Sequence, residues 1–443
     1  MANRSSASSI TIVSLIHKLS LSLVILLTSS APSLAGLKEA TINGRPTIDT
    51  DRVTLRIKVK DDRDRPAIAL TEENFKLLID NEPLKFAPKD WKSPKEVTPP
   101  PAWIVVLIDM SGSMRNPDSR GKSKMKGALE AIGQFKETLT KRSENLPLEY
   151  IPRLAIVPFG EGGGKGESSC KGFPVDNESL DKFFPATDFK LQNHLDYLSG
   201  LTPCASTNLY EPLSKALKML GNSKDPRFYP ENVDLQKQPR LSVILLSDGY
   251  QNTADEQGAF ENLKSLLKRN QQVMVHTLGY GLNLEELGRK YNLKKAATRG
   301  DVWSGCNGDA KKAPAGKVCD EEFVDQTRLQ EIAQLSGGVS EFSADAQAVS
   351  EKLDLFLDAL IGEYEITFTQ PVAERGSKHE AKVVVQSGPT SITSAPQPYT
   401  ITVFGRSVSG PIRMGVFALT LLALAAGGAL PFWLWSKSLK EEG

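Results

Sequence analysis

The chain has 443 residues, enough for two or three domains and a full-sized core. Acidic and basic residues nearly cancel at a net charge of +1, with 24% of residues charged, and no long Lys/Arg run marks a surface for nucleic acid. The four cysteines and four histidines show no CxxC or HxxxH spacing, which argues against a thiolate or imidazole zinc site.

In chain order, the N-terminus carries Arg4, His17 and Lys18, then "LSLSLVILL", then "SAPSLA" with small residues at Ser33 and Ala35. That order reads as a signal peptide over residues 1–35, with an uncleaved anchor as the alternative. Its apolar run is too short to span a bilayer comfortably. Residues 37–100 read as an N-terminal β module. "DRVTLRIKVKD" alternates apolar Val53, Leu55, Ile57 and Val59 with polar partners, a period of two. In "NFKLLIDNEPLKF", Asp80-Asn81 separates two short apolar runs, which suits a hairpin. "KSPKEVTPPPA" is a stiff Pro-rich linker.

From Trp103 the pattern changes. The strands "WIVVLI", "RLAIVPF", "LSVILL" and "VMVHTLGY" are apolar on both faces. Between and after them lie amphipathic helices. One carries Met125, Leu129, Ile132, Phe135 and Leu139; another carries Leu213, Ala216, Leu217 and Leu220; a last one spans about Asp345 to Ile361. This predicts an α/β fold with a doubly wound, mostly parallel sheet and helices on both faces, over residues 102–361. Residues 362–405, with "EYEITFT", "AKVVVQ" and "YTITVFG", return to the strand period. The two β flanks form either two small units or one sandwich carrying the α/β domain as an insert. The single sandwich is the economical reading, because an isolated hairpin is rarely stable.

Residues 414–435 contain no charge, and as a helix they would reach roughly 33 Å, the length of a transmembrane span. Phe432, Trp433 and Trp435 stand where aromatic rings favour the interface, and a short tail, 436–443, carries Lys437 and Lys440. Arg406 and Arg413 on the other flank weaken the charge rule, so the signal peptide sets the orientation. The body is expected outside the cytoplasm, periplasmic or extracellular, with the tail inside.

The first apolar strand runs into "DMSGSM", so Asp109, Ser111 and Ser113 sit at its carboxyl end, where open α/β sheets bind ligands. "CASTNLYEPL" places Thr207 just before a helix, and "ILLSDGY" ends its strand with Asp248. Two carboxylates and three hydroxyls, with no histidine or thiol, suit a hard divalent cation. These three segments, in this order, resemble the von Willebrand factor type A domain with its metal-ion-dependent adhesion site. The resemblance covers about Ala102 to Ile361. It implies that Ser111 and Ser113 ligate the metal directly and that Thr207 does so directly or through water. It implies that Asp109 and Asp248 act through water and hydrogen bonds. Mg²⁺, or Mn²⁺ or Ca²⁺, is the expected ion, and an Asp or Glu carboxylate from a partner protein would complete its shell. Many family members have two glycines before the threonine; here Ala205 and Ser206 stand there, both small. The N-terminal flank is similar to a β module that precedes this domain in many bacterial exported proteins.

A membrane-anchored binding protein, not an enzyme, is therefore the leading expectation. A metal-dependent hydrolase or phosphatase is the second, since Asp109 stands at a strand tip. Aspartyl phosphatases carry a second acid two residues on, and here that residue is Ser111. No GxSxG or Ser-His-Asp set is evident in the sequence; His276 lies in a strand pattern and His194 in a helical one. A structural subunit with a vestigial site is the third. "FGEGGGKGESSCKGF" lacks the GK[ST] ending of a phosphate loop and reads as a flexible loop near the metal face.

An exported chain meets an oxidising compartment, where four cysteines form two bridges in one of three pairings, four free thiols being the alternative. Cys306 and Cys319 flank a polar loop with no core of its own, so a bridge there would staple it. That leaves Cys170 with Cys204, on loops expected at the metal-bearing end of the sheet.

Overall fold

The computed structural model describes residues 36–441 apart from 50, 163–169, 232, 234–236, 252–254, 307–308, 372–373, 375 and 402–409. The expected signal peptide, the centre of the glycine-rich loop and Arg406 lie outside the described residues.

The first β segments are β1 (Leu37–Ile42), β2 (Thr47–Asp49), β3 (Arg52–Asp61), β4 (Phe75–Ile79), β5 (Glu82–Leu84) and β6 (Trp91–Lys92). β3 buries Val53, Leu55, Ile57 and Val59 on one face, as its period of two requires. β4 and β5 are joined at Asp80 and Asn81, whose φ values of 52° and 69° give the left-handed pair of a type I′ hairpin turn. The last strands are β15 (Tyr364–Thr369), β16 (Lys378–Ser387), β17 (Thr390–Thr393) and β18 (Gln397–Thr400). β15 pairs with β3 and β6, and β16 pairs with β4, all antiparallel. Strands distant in sequence thus complete both sheets, which share a core that includes Leu55, Phe75, Leu77, Tyr364, Ile366 and Val383.

Between these flanks lies a six-stranded sheet of β7 (Ala102–Asp109), β8 (Arg153–Phe159), β9 (Phe184–Pro185), β10 (Arg240–Ser247), β11 (Val273–Tyr280) and β14 (Ser340–Ser343). Its order is β14-β11-β10-β7-β8-β9, and every pairing is parallel except β8 with the short edge strand β9. β12 (Val302–Trp303) and β13 (Val318–Cys319) form a separate two-stranded ladder.

The helices are α1 (Lys124–Ser143), α2 (Asn177–Leu180), α3 (Phe189–Ser199), α4 (Tyr210–Leu220), α5 (Glu256–Arg269), α6 (Leu284–Lys290), α7 (Gln326–Ser336) and α8 (Ala346–Ile361). In β7, Ile104, Val106 and Ile108 face a layer of α1, α3 and α8. Val105 and Leu107 face α4, α5 and α7 on the other side. Continuous apolar strands exist because both faces are covered. β8 returns on one side of β7 and β10 on the other, so the winding reverses between β7 and β10. A crevice opens where their carboxyl ends diverge.

His276 of β11 is fully buried, stacks on Phe356 of α8 at 4.8 Å and accepts the Val339 N–H through Nδ1 at 3.1 Å. Burial pushes its pKa down to about 3, so it is a neutral core residue. The unfolded chain takes up a proton at the ordinary value of 6.5 that the fold refuses until about pH 3, so stability falls as pH drops through that window. Replacing His276 with Gln should flatten the acid limb by up to about 1.4 kcal/mol per pH unit, read by denaturant unfolding between these limits. An unchanged acid slope would contradict this account.

The C-terminal helix runs from Gly410 to Glu441 with a π turn at Ala425–Ala429. The turn lies just before Pro431, which has no N–H to donate and whose ring would crowd the carbonyl four residues back. Met414–Ser438 spans 25 residues and carries an 18-residue stretch at a mean hydropathy of 1.9; it is long and apolar enough to cross a membrane, and that stretch is entirely exposed.

Candidate functional site

The loop after β7 is held by its methionines. Met110 and Met114 are fully buried in the core under α1, while Ser111 and Ser113 between them are left to face the crevice. A 3₁₀ turn over Gly112–Arg115 brings the two hydroxyls within 3.0 Å of each other. Both converge on Asp248 Oδ1, Ser113 at 2.8 Å and Ser111 at 3.4 Å.

Asp109 is fully buried beneath them. Its Oδ1 accepts the Ser111 N–H at 2.8 Å and its Oδ2 accepts the Ser247 hydroxyl. Burial, and then the neighbouring Asp248 charge, push its pKa up to about 7. The Thr207 loop lies alongside. Cys204 and Ala205 both donate N–H to Met110 O at 3.0 Å, and Gly112 N–H reaches Ala205 O at 3.1 Å. Thr207 faces the Asp248–Gly249 turn so closely that a Cβ on Gly249 would come 2.8 Å from its hydroxyl. Ala205 in turn packs on Gly160, where an added Cβ would stand 2.4 Å from the Ala205 Cβ, so the larger residue in the threonine loop is met by a glycine opposite. The structure therefore gathers all five sequence-selected residues in the crevice between β7 and β10.

Sequence reasoning missed three supporting residues. Lys124, at the start of α1, places its ammonium 2.6 Å from Asp248 Oδ2, both side chains being buried. Ser247 braces Asp109, and its oxygen also accepts the Gly249 N–H at 3.1 Å. Gln251 accepts the Leu209 and Tyr210 N–H groups at 2.6 and 3.2 Å, which ties the start of α4 to the Asp248 loop. The polar run "SDGYQ" after an apolar strand is the only signal for Ser247 and Gln251. Lys124 reads as an ordinary helix-start lysine.

Both disulfides are formed, Cys170–Cys204 and Cys306–Cys319. The first anchors the threonine loop three residues before Thr207 and closes a separation of 34 residues. Changing Cys170 and Cys204 together to serine should cost about 4 kcal/mol on the chain-entropy estimate. Hydrogen exchange at Ala205 and Ser206 should quicken while β7 stays protected; equal exchange in both proteins would show that the backbone bonds alone hold this loop.

One combination that the sequence did not reveal lies far away in the β flanks. Because β4 pairs with β16, Asp80 Oδ2 stands 2.7 Å from His379 Nδ1, and Ser377 Oγ 2.7 Å from His379 Nε2. The His379 contact holds the Asp80 carboxyl below its usual range. The Ser377 hydroxyl also reaches Glu374 O at 2.6 Å, and the N–H groups of Gly376 and Ser377 are taken by Ile401 O and Glu374 O. Among the described residues these contacts tie the start of β16 to the β4–β5 turn and to Ile401.

Among the described residues no three His, Cys, Asp or Glu side chains cluster as a metal site. The crevice offers a different donor set, hydroxyls over a buried carboxylate pair. Those oxygens, with one ammonium against two carboxylates, fit a hard dication.

No protein-family model and no curated protein matches the chain. Among solved structures it is similar to proximal thread matrix protein 1 from the mussel byssus, solved with a zinc-occupied MIDAS motif. That likeness has a TM-score of 0.31 and 18% identity, and covers 59% of this chain and 48% of the mussel chain. The chain thus spans about half the length of that protein. It is also similar to the PilB minor pilin from Streptococcus sanguinis, at a TM-score of 0.33 and 11% identity over 72% of this chain and 77% of the pilin.

Proposed function

We propose that the chain is a membrane-anchored, extracytoplasmic protein of the von Willebrand factor type A class that binds a partner protein through a divalent metal. The observation that carries this reading is the convergence of Ser111, Ser113, Thr207, Asp109 and Asp248 where the sheet's winding reverses. Ser111 and Ser113 would supply direct hydroxyl ligands and Thr207 a third, direct or through water. Asp109 and Asp248 would orient those hydroxyls and balance charge. Bound Mg²⁺ supplies a Lewis-acidic centre that takes an anionic oxygen. Neutral first ligands leave it under-neutralised, which favours an Asp or Glu carboxylate from the partner. The two disulfides fit an oxidising compartment, and the exposed C-terminal helix fits an anchor with the body outside.

Binding is favoured over phosphoryl transfer by Asp109 itself. A nucleophilic aspartate must be reached by phosphorus, but this one is fully buried with both oxygens engaged. The test is calorimetric titration with Mg²⁺ and Mn²⁺, with pull-downs from extracytoplasmic extract with and without chelator. One weak divalent site and chelator-sensitive capture are expected. No divalent binding, with capture that survives chelation, would sink the reading, and phosphatase activity would replace it with the enzyme.

A further inference from the structure

Lys124 is a buried cation beside the hydroxyl cluster, and its ammonium engages the Asp248 oxygen that the serines do not use. With both buried carboxylates ionised, the single ammonium leaves the crevice one negative charge, and a dication among the hydroxyls turns that into one positive charge. Resting on the metal-binding reading above, we propose that Lys124 sets the specificity of this site: it weakens the hold on the dication and gives the loaded site the surplus charge that selects an anionic ligand. Without Lys124 the loaded site would be neutral. It would keep metal more tightly and attract a carboxylate less.

The geometry supports a role of this kind. Lys124 reaches Asp248 across 124 residues of sequence from the first turn of α1, whose N-cap is Ser123. It holds Oδ2 at 2.6 Å and so leaves Oδ1 for Ser113 and Ser111. Lys124 therefore also orients the carboxylate that positions the two hydroxyls. A lysine whose only task was packing would not need its charged end in the polar crevice at the carboxyl ends of β7 and β10. Like charge acting across a low-dielectric site is worth at least a tenfold change in affinity.

The test compares the full-length protein in detergent with Lys124→Met, which keeps the stem and removes the charge, and Lys124→Arg, which keeps the charge. Divalent affinity is read by titration with Mg²⁺ alone. Anion affinity is read by titrating acetate into the Mn²⁺-loaded protein and following water-proton relaxation. Lys124→Met should bind Mg²⁺ about tenfold more tightly and acetate about tenfold more weakly, while Lys124→Arg stays near the parent. If Lys124→Met is less stable than the parent without metal, its thermal midpoint should still rise more on adding Mg²⁺ than the parent's does. Equal or weaker Mg²⁺ binding in Lys124→Met, no larger thermal rise, or unchanged acetate binding would overturn the inference. A parent protein that binds no divalent ion would instead overturn the metal-binding reading beneath it.

Discussion

Asp109→Ala is expected to weaken divalent-cation binding by about 10- to 100-fold, the scale of removing a group that orients metal ligands. Asp109 supports the site from below through Ser111 N–H and Ser247, and carries half of the buried negative charge. Its removal also ends the burial of a carboxyl, which first raises its pKa to about 7, and the repulsion from Asp248, which adds to that rise; both offset part of the two lost hydrogen bonds. The fold should therefore survive with a modest loss of roughly 1–2 kcal/mol. Titration calorimetry and denaturant unfolding on the same preparation check both halves. Unchanged Mg²⁺ affinity in a folded Asp109→Ala protein would remove Asp109 from the site.

Glu363→Ala should give the largest loss of stability. Glu363 follows α8 and is fully buried where the α/β sheet meets the β flanks. Its carboxylate meets Arg240 of β10 at 2.7 Å and Arg56 of β3 at 3.5 Å, and accepts from Asn43. Beside it Lys58 caps α8, donating to Ala359 O at 3.0 Å and Leu360 O at 2.9 Å, and burial pulls its pKa down to about 8. One carboxylate thus serves three partly buried cations. Deleting it removes the carboxylate that Arg240 meets and leaves Arg56 only the longer contact with Glu365 at 3.9 Å, a cost of about 3–5 kcal/mol. The exposed pair Lys182–Glu178 is the control, since Glu178→Ala should cost under about 1 kcal/mol. Equilibrium unfolding measures both, and similar losses would mean that water reaches Glu363. The same junction links α8 to β3, so a shift of α8 would have to disturb these contacts. Hydrogen exchange in α8 with and without Mg²⁺ would detect such a shift.

Some of this was legible in the sequence for a simple reason. Burial on both faces forces unbroken apolar strands, as in "WIVVLI", and burial on one face forces alternation, as in β3. The left-handed Asp80-Asn81 turn, the apolar span at 414–435 and the five oxygen-bearing site residues are likewise local patterns that one stretch of chain can carry. The disulfide pairing followed from where loops must lie. What the sequence could not show depends on residues meeting across long separations. Lys124 meets Asp248, Glu363 meets Arg240 and Arg56, and Ser377 and His379 meet Asp80. Lys124 and Glu363 sit in stretches that read as ordinary exposed faces. Only the packed fold removes water around them, and the loss of water turns a common charge into one that needs a partner.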